Sequence, residues 1–186
     1  MHISHKVKSG LLLPEVVILG CGNILLGDDG FGPAVIERLE QARLPEQVRV
    51  VDVGTSVREY LLDYLMAPNL RPSVLLVVDA TYREGELPGT VFQCQPSDLP
   101  GCKVHDFSLH QFPSVNLLSE LQMETGIKVE LLLAQAATVP EDIAPGLTPA
   151  MAQAVATATE LILHRISQYV TPFSTGIPVA AAESVS

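Results

Sequence analysis

Positive charge is scarce in this chain. Its 186 residues hold 11 Lys and Arg against 21 Asp and Glu, a formal charge of −10, and no basic cluster interrupts the deficit. That argues against nucleic acid or an anionic membrane surface as a partner, because both are bound through concentrated positive charge. Cysteines are fewer still, three in all. Cys21, Cys94 and Cys102 make an odd count without metal-type spacing, the pattern of free thiols in a reducing cytosol. No apolar run approaches the roughly 18 residues of a membrane span. Lys6 and Lys8 precede an apolar stretch in the manner of a signal peptide, but Pro14 and Glu15 interrupt it and no small-residue cleavage site follows. A soluble, cytoplasmic protein is expected. Internal repeats are absent, and no serine sits in a Gly-x-Ser-x-Gly elbow.

What is abundant is apolar side chain, 47% of the residues. A chain of this length buries roughly 70% of its unfolded surface, so one α/β domain over residues 1–170 is expected. Residues 171–186, rich in Pro, Ser, Gly and Ala, read as a disordered tail. Strands are expected at Val16–Leu19, Val48–Val53, Val74–Val78, Thr90–Gln95 and Lys128–Ala134, with helices between. Val35, Ile36 and Leu39 mark the first helix. Ser56 with Glu59 reads as a capping box for a second, whose apolar face is Leu61, Leu62 and Leu65. A third begins between Leu109 and Ser114 and ends at Gly126. Thr148 and Pro149 open a long fourth helix with Met151, Val155, Ala158, Ile162 and Ile166 about one turn apart. Only about ten residues separate the third and fourth strands, too few for a parallel crossover, so the fourth is an antiparallel edge or hairpin partner. The expected fold is a three-layer, doubly wound α/β sheet of about five strands, mostly parallel with one antiparallel strand.

The organising stretch is VVILGCGNILLGDDGFG, Val16 to Gly32. A buried strand runs into a glycine-rich turn and then into a helix with Pro33 in its first turn, where a missing N–H costs nothing. Ligands of open α/β sheets bind beyond the carboxyl ends of the strands. Three polar groups fall there: Asp29 on the first turn, Asp79 at the end of the third strand, and His110 near the start of the third helix. Two carboxylates and an imidazole suit a divalent transition metal and leave coordination positions open. Each also has a structural reading. Asp28 or Asp29 could cap the helix that follows, Asp79 could start a turn, and His105 and Asp106 compete with His110. Cys21, between two glycines, reads better as a small buried residue than as a nucleophile.

The residues GCGNILLGDDGFGPAVIERL resemble the opening motif of the hydrogenase maturation endopeptidases, Gly-x-Gly-Asn-x-Leu-x-x-Asp-(Asp/Glu)-Gly-x-Gly. The resemblance continues through VVDVGTS, VVDATYREGELPGT, SLHQ and GLTPAMAQAVATATELIL, and covers roughly residues 16–166. It implies a metal-ligand triad at Asp29, Asp79 and His110. Some members have Glu where this chain has Asp29, so the metal would sit closer to the turn here. The resemblance further implies an endopeptidase that removes a C-terminal extension from the nickel-loaded precursor of a nickel–iron hydrogenase large subunit. The triad would then recognise nickel supplied by that precursor, not a permanent cofactor. No separate catalytic residue is assigned: a metal could polarise the scissile carbonyl or lower the pKa of a water, or a carboxylate could act as general base.

Two alternatives belong to other classes. A non-enzymatic nickel-binding maturation chaperone could carry the same triad. A dinucleotide-binding oxidoreductase could use Gly20, Gly22 and Asp52, although Leu25 stands where the third fingerprint glycine belongs and Asp28 and Asp29 would repel a pyrophosphate.

Overall fold

The computed structural model describes residues 14–98, 114–138, 140 and 142–170. Five apolar segments form one sheet: β1 (Val16–Cys21), β2 (Val48–Gly54), β3 (Val74–Thr81), β4 (Val91–Cys94) and β5 (Lys128–Gln135). The strand order is β2-β1-β3-β5-β4. Four strands are parallel, and β4 pairs antiparallel with β5 at the edge. The fourth strand is therefore an edge, not a hairpin partner of β3; β5 occupies the place between them.

Helices α1 (Phe31–Glu40), α2 (Val57–Met66), α3 (Ser114–Thr125) and α4 (Pro149–Tyr169) cover both faces. Side chains alternate across the sheet with the period of two that strands impose. Val16, Ile18, Leu76 and Val78 point to the layer of α1 and α4, where Val35, Ile36, Leu39, Ala158 and Ile162 meet them. Val17, Leu19, Leu75 and Val77 point to the layer of α2 and α3, against Leu61, Leu118 and Leu121. Burial on both faces is why β1 and β3 read as unbroken apolar runs. On α2 the buried pair is Leu61 and Tyr64, with Leu62 and Leu65 half-buried beside them.

Local signals fare differently at two helix starts. Thr148 is extended (φ −63°, ψ 157°) and its hydroxyl accepts from the Met151 N–H at 3.4 Å, as an N-cap should. Ser56 lies at φ −97°, ψ 20°, and its side chain makes no capping bond. The capping box expected from Ser56 and Glu59 is not formed, because a cap hydroxyl reaches the first turn from an extended backbone.

The amino-terminal ends of the strands are closed by a polar cluster. Glu130 on β5, nearly buried, accepts from Arg165 Nε at 2.9 Å and Nη2 at 3.0 Å, and from the Tyr169 hydroxyl at 2.5 Å. Lys128 approaches the same carboxylate at 3.0 Å. These bonds fix the carboxyl-terminal half of α4 to the sheet and leave the opposite edge for other groups. Among the described residues, no helix is long and apolar enough to cross a membrane. Residues 1–13, the 171–186 tail, His105, Asp106, His110 and Cys102 lie outside the described residues.

Candidate metal-recognition site

The chain leaves β1 for β2 on one side and places β3 on the other, so the connections diverge above the β1–β3 pair. Such a switch point opens a crevice at the carboxyl edge. The β1–β3 pairing ends at Gly20 opposite Val78, and Asp79 is the next residue of β3. It still pairs with Leu133 of β5, and β3 runs two residues past it, so Asp79 belongs to the strand and starts no turn. Alternation after Val78 turns its side chain toward the layer of α2 and α3.

Asp29 arrives from the other side of the crevice. After β1, residues Gly27–Gly30 form a single 3-10 turn that leads directly into α1. The turn lies this close to the sheet because glycines remove the obstacles. A Cβ on Gly32 would run into the Cys21 backbone and come within 2.7 Å of the Val78 carbonyl. Gly22, at φ +125°, adopts a backbone that other residues rarely take, and a Cβ there would strike the Asp29 carbonyl. Asp29 Oδ2 in turn accepts the Asn23 N–H at 2.7 Å.

The two adjacent acids have separate duties. Neither caps α1, whose N-cap Gly30 receives no side-chain bond. Asp28 is fully buried and accepts from the Thr148 N–H at 2.7 Å, the Ala137 N–H at 2.9 Å and the Thr148 hydroxyl at 3.1 Å. Asp29 is 3% exposed and Asp79 6%. Burial, then the nearby Asp29 charge, push the Asp79 carboxyl up to about 8, against the opposing bond from the Ala80 N–H at 2.8 Å. Two carboxylates that dry and that close resist sharing two negative charges. A divalent cation relieves both costs by supplying charge and replacing lost water, and oxygen donors accept such an ion. The donor chemistry of the pair thus fits a divalent cation.

The structure brings Asp29 and Asp79 together, while His110 falls outside the described residues. Within those residues no group of three metal-type side chains is assembled. Cys21, buried at the end of β1, has its thiol pushed well up, by burial first and then by Asp79, Asp52 and Asp29. It is held as the protonated thiol, which is a poor nucleophile. Cys94 is also a free thiol. Asp28 is the residue whose role sequence reasoning did not find: its partners lie 109 and 120 residues away, and no local spacing signals them.

A groove of about 440 Å³ runs beside the turn, lined by Ile24, Gly27, Gly30, Glu37, Glu40 and Asp52 among others. It has three carboxylates and no cation in its lining, and Asp52 is engaged with the Gly54 N–H at 2.9 Å. This is the wrong charge for a dinucleotide pyrophosphate, and Gly20 serves close packing of α1 instead, since a Cβ there would come within 2.6 Å of the Gly32 carbonyl.

Comparison with known proteins identifies the family. The hydrogenase maturation protease family profile matches residues 33–165. A putative hydrogenase maturation protease of Methanocaldococcus jannaschii is 38% identical over 156 residues, spanning 83% of this chain and 97% of the relative. The hydrogenase 2 maturation protease of Escherichia coli is 31% identical over 157 residues, 83% of this chain and 92% of the relative. A solved hydrogenase maturating endopeptidase from E. coli superposes with a TM-score of 0.67 at 30% identity, covering 83% of this chain and 93% of that one. With its five-stranded sheet, its glycine-rich turn and this set of relatives, the chain belongs to the hydrogenase maturation protease family and is an endopeptidase of that class.

Proposed function

We propose that this endopeptidase removes a C-terminal extension from the precursor of a nickel–iron hydrogenase large subunit, and that it acts once nickel is in place. The nickel belongs to the substrate. Asp29, Asp79 and His110 recognise it, and the protein needs no metal of its own.

The observation that carries this reading is the pair of nearly buried carboxylates at the carboxyl edge of β1 and β3, one of them pushed up to about 8 by burial and by the charge of the other. A site in that condition is incomplete without a cation. The topology favours His110 as third partner. Helix α3 is followed after two residues by the amino end of β5, so it runs antiparallel to the strands and starts at the carboxyl edge. It packs in the layer toward which Asp79 points, and position 110 precedes its first residue by four. Ile24 and Ile143, 62% and 73% exposed, stand on the turn and on the 138–147 connection, apolar surface of the kind a protein substrate covers.

Nickel held by these side chains would supply Lewis-acid character beside the scissile bond. The chain's own contribution is to hold two oxygen donors in a dry crevice, with Asp79 protonated until the cation arrives. A cytoplasmic location is part of the same proposal. The experiment is cleavage of a cognate precursor, nickel-loaded and nickel-free, followed by mass spectrometry. A chaperone with the same site would bind the loaded precursor without shortening it.

A further inference from the structure

We infer that Asp28 is a positioning residue for this reaction: its carboxylate clamps the Asp29 turn to both ends of the 138–147 connection, and so holds Asp29 against Asp79. The inference rests on the metal-recognition role proposed for Asp29 and Asp79.

The geometry is specific. Asp28 Oδ1 accepts from the Thr148 N–H, and Oδ2 accepts from the Ala137 N–H and the Thr148 hydroxyl. Ala137 lies two residues past the end of β5, and Thr148 is the N-cap of α4. One side chain therefore closes the loop between them. The Thr148 hydroxyl donates to Asp28 while accepting from Met151, which fixes its direction and ties the clamp to the helix. The middle of the loop is held to the preceding turn by the Ala144 N–H, which donates to the Leu25 carbonyl at 2.9 Å. Pro140 lies over Gly27, within 3.1 Å of where a Cβ would be.

Asp28 is joined to Asp29 by one peptide link; its carbonyl accepts the Phe31 N–H at the end of the turn, while its carboxylate reaches out to the 138–147 connection. A single 3-10 turn has little stability of its own, and Asp29 gains its place from what grips the turn. An amide at position 28 would present two donor hydrogens to a pocket already lined by three donors. The turn would then be pushed off the sheet, while the strands that carry Asp79 stay in register.

The test compares the full-length protein with Asp28→Asn, Thr148→Val, Thr148→Ser and Asp79→Asn, on nickel-loaded precursor and by amide hydrogen exchange. In folded Asp28→Asn, kcat should fall at least about thirtyfold with KM within about threefold. Amides of residues 27–30 should exchange at least about tenfold faster, while β1 and β3 keep their protection. Thr148→Val removes one of the three donors and should give a smaller loss in kcat; Thr148→Ser, which restores the hydroxyl, should recover it. If Asp28→Asn does not fold, the Thr148 pair decides the matter by the same readouts. A folded Asp28→Asn with wild-type kcat would overturn the inference, whether or not its turn amides exchange faster. So would a Thr148→Val protein that loses thermal stability with kcat unchanged. Asp79→Asn separates the two levels. If it is inactive while Asp28→Asn is normal, only the clamp is wrong; if it is fully active, the site reading fails and the clamp with it.

Discussion

Replacing Asp79 with Asn should stabilise the folded protein at neutral pH while abolishing its processing activity. The amide keeps an oxygen that can accept the Ala80 N–H and puts an NH2 group, which cannot ionise, in place of the acidic oxygen. In the unfolded chain the Asp79 carboxyl ionises near its ordinary value of 3.8; in the fold burial and Asp29 push it up to about 8. The native state thus holds a proton that the unfolded state gives up. The favourable contribution is fully present below the unfolded value and is lost as pH rises through the folded one. At about 1.4 kcal/mol per pH unit, the loss between the unfolded value and pH 7 is roughly 4 kcal/mol. Asn never ionises, so that loss disappears in the variant. The assay is urea unfolding followed by circular dichroism from about pH 4 to about pH 8. The difference between variant and wild type should be near zero at the acid end and grow steadily toward neutrality. Taking the difference cancels every other titrating group that is distant from the site. A difference independent of pH, or an Asp79→Asn protein less stable than wild type at pH 7, would mean that the fold does not hold Asp79 protonated. The site would then not be a place where stability is spent on a carboxylate held ready for a cation.

Two further outcomes test the surroundings. Cys21, buried and held as the thiol, should react with a thiol reagent at pH 8 at least about a hundredfold more slowly than in the urea-unfolded protein; equal rates in folded and unfolded protein would contradict the burial argument. Glu130→Gln should lower stability by about 1–2 kcal/mol, a figure reduced because Lys128 and Arg165 are 50% and 33% exposed. Processing at a temperature where the variant is folded should be unchanged, since Glu130 lies three register positions from Leu133, the partner of Asp79, or about 10 Å along the strand. A large loss of activity in folded Glu130→Gln would mean that the two ends of the sheet are coupled.

Much of this molecule is legible in its sequence where the determining interactions repeat along the chain. Val16–Leu19 and Val74–Val78 are apolar throughout because both faces are covered, and α4 shows its buried stripe at one-turn spacing from Met151 to Ile166. The short span between β3 and β4 identifies an antiparallel strand, but its partner cannot be read locally, because that partner, β5, is synthesised later and inserts between them. Ser56 and Glu59 have the right spacing for a capping box, yet the backbone at Ser56 is not extended and the bond is not made. Asp29 and Asp79 could be chosen because strand ends and glycine-rich turns announce the carboxyl edge. The division of labour between Asp28 and Asp29 could not, because Asp28 is defined by donors more than a hundred residues away. That Asp79 is nearly dry is likewise a property of the assembled fold, which no spacing in the chain reveals.

The most direct measurement is mass spectrometry of a cognate large-subunit precursor after incubation with the wild-type protein and with Asp79→Ala, each with nickel-loaded and nickel-free precursor. Loss of a C-terminal peptide is expected in one of the four samples, wild type with loaded precursor. Cleavage of nickel-free precursor at the same rate, or cleavage of loaded precursor by folded Asp79→Ala, would contradict the claim that two buried carboxylates read the substrate's metal.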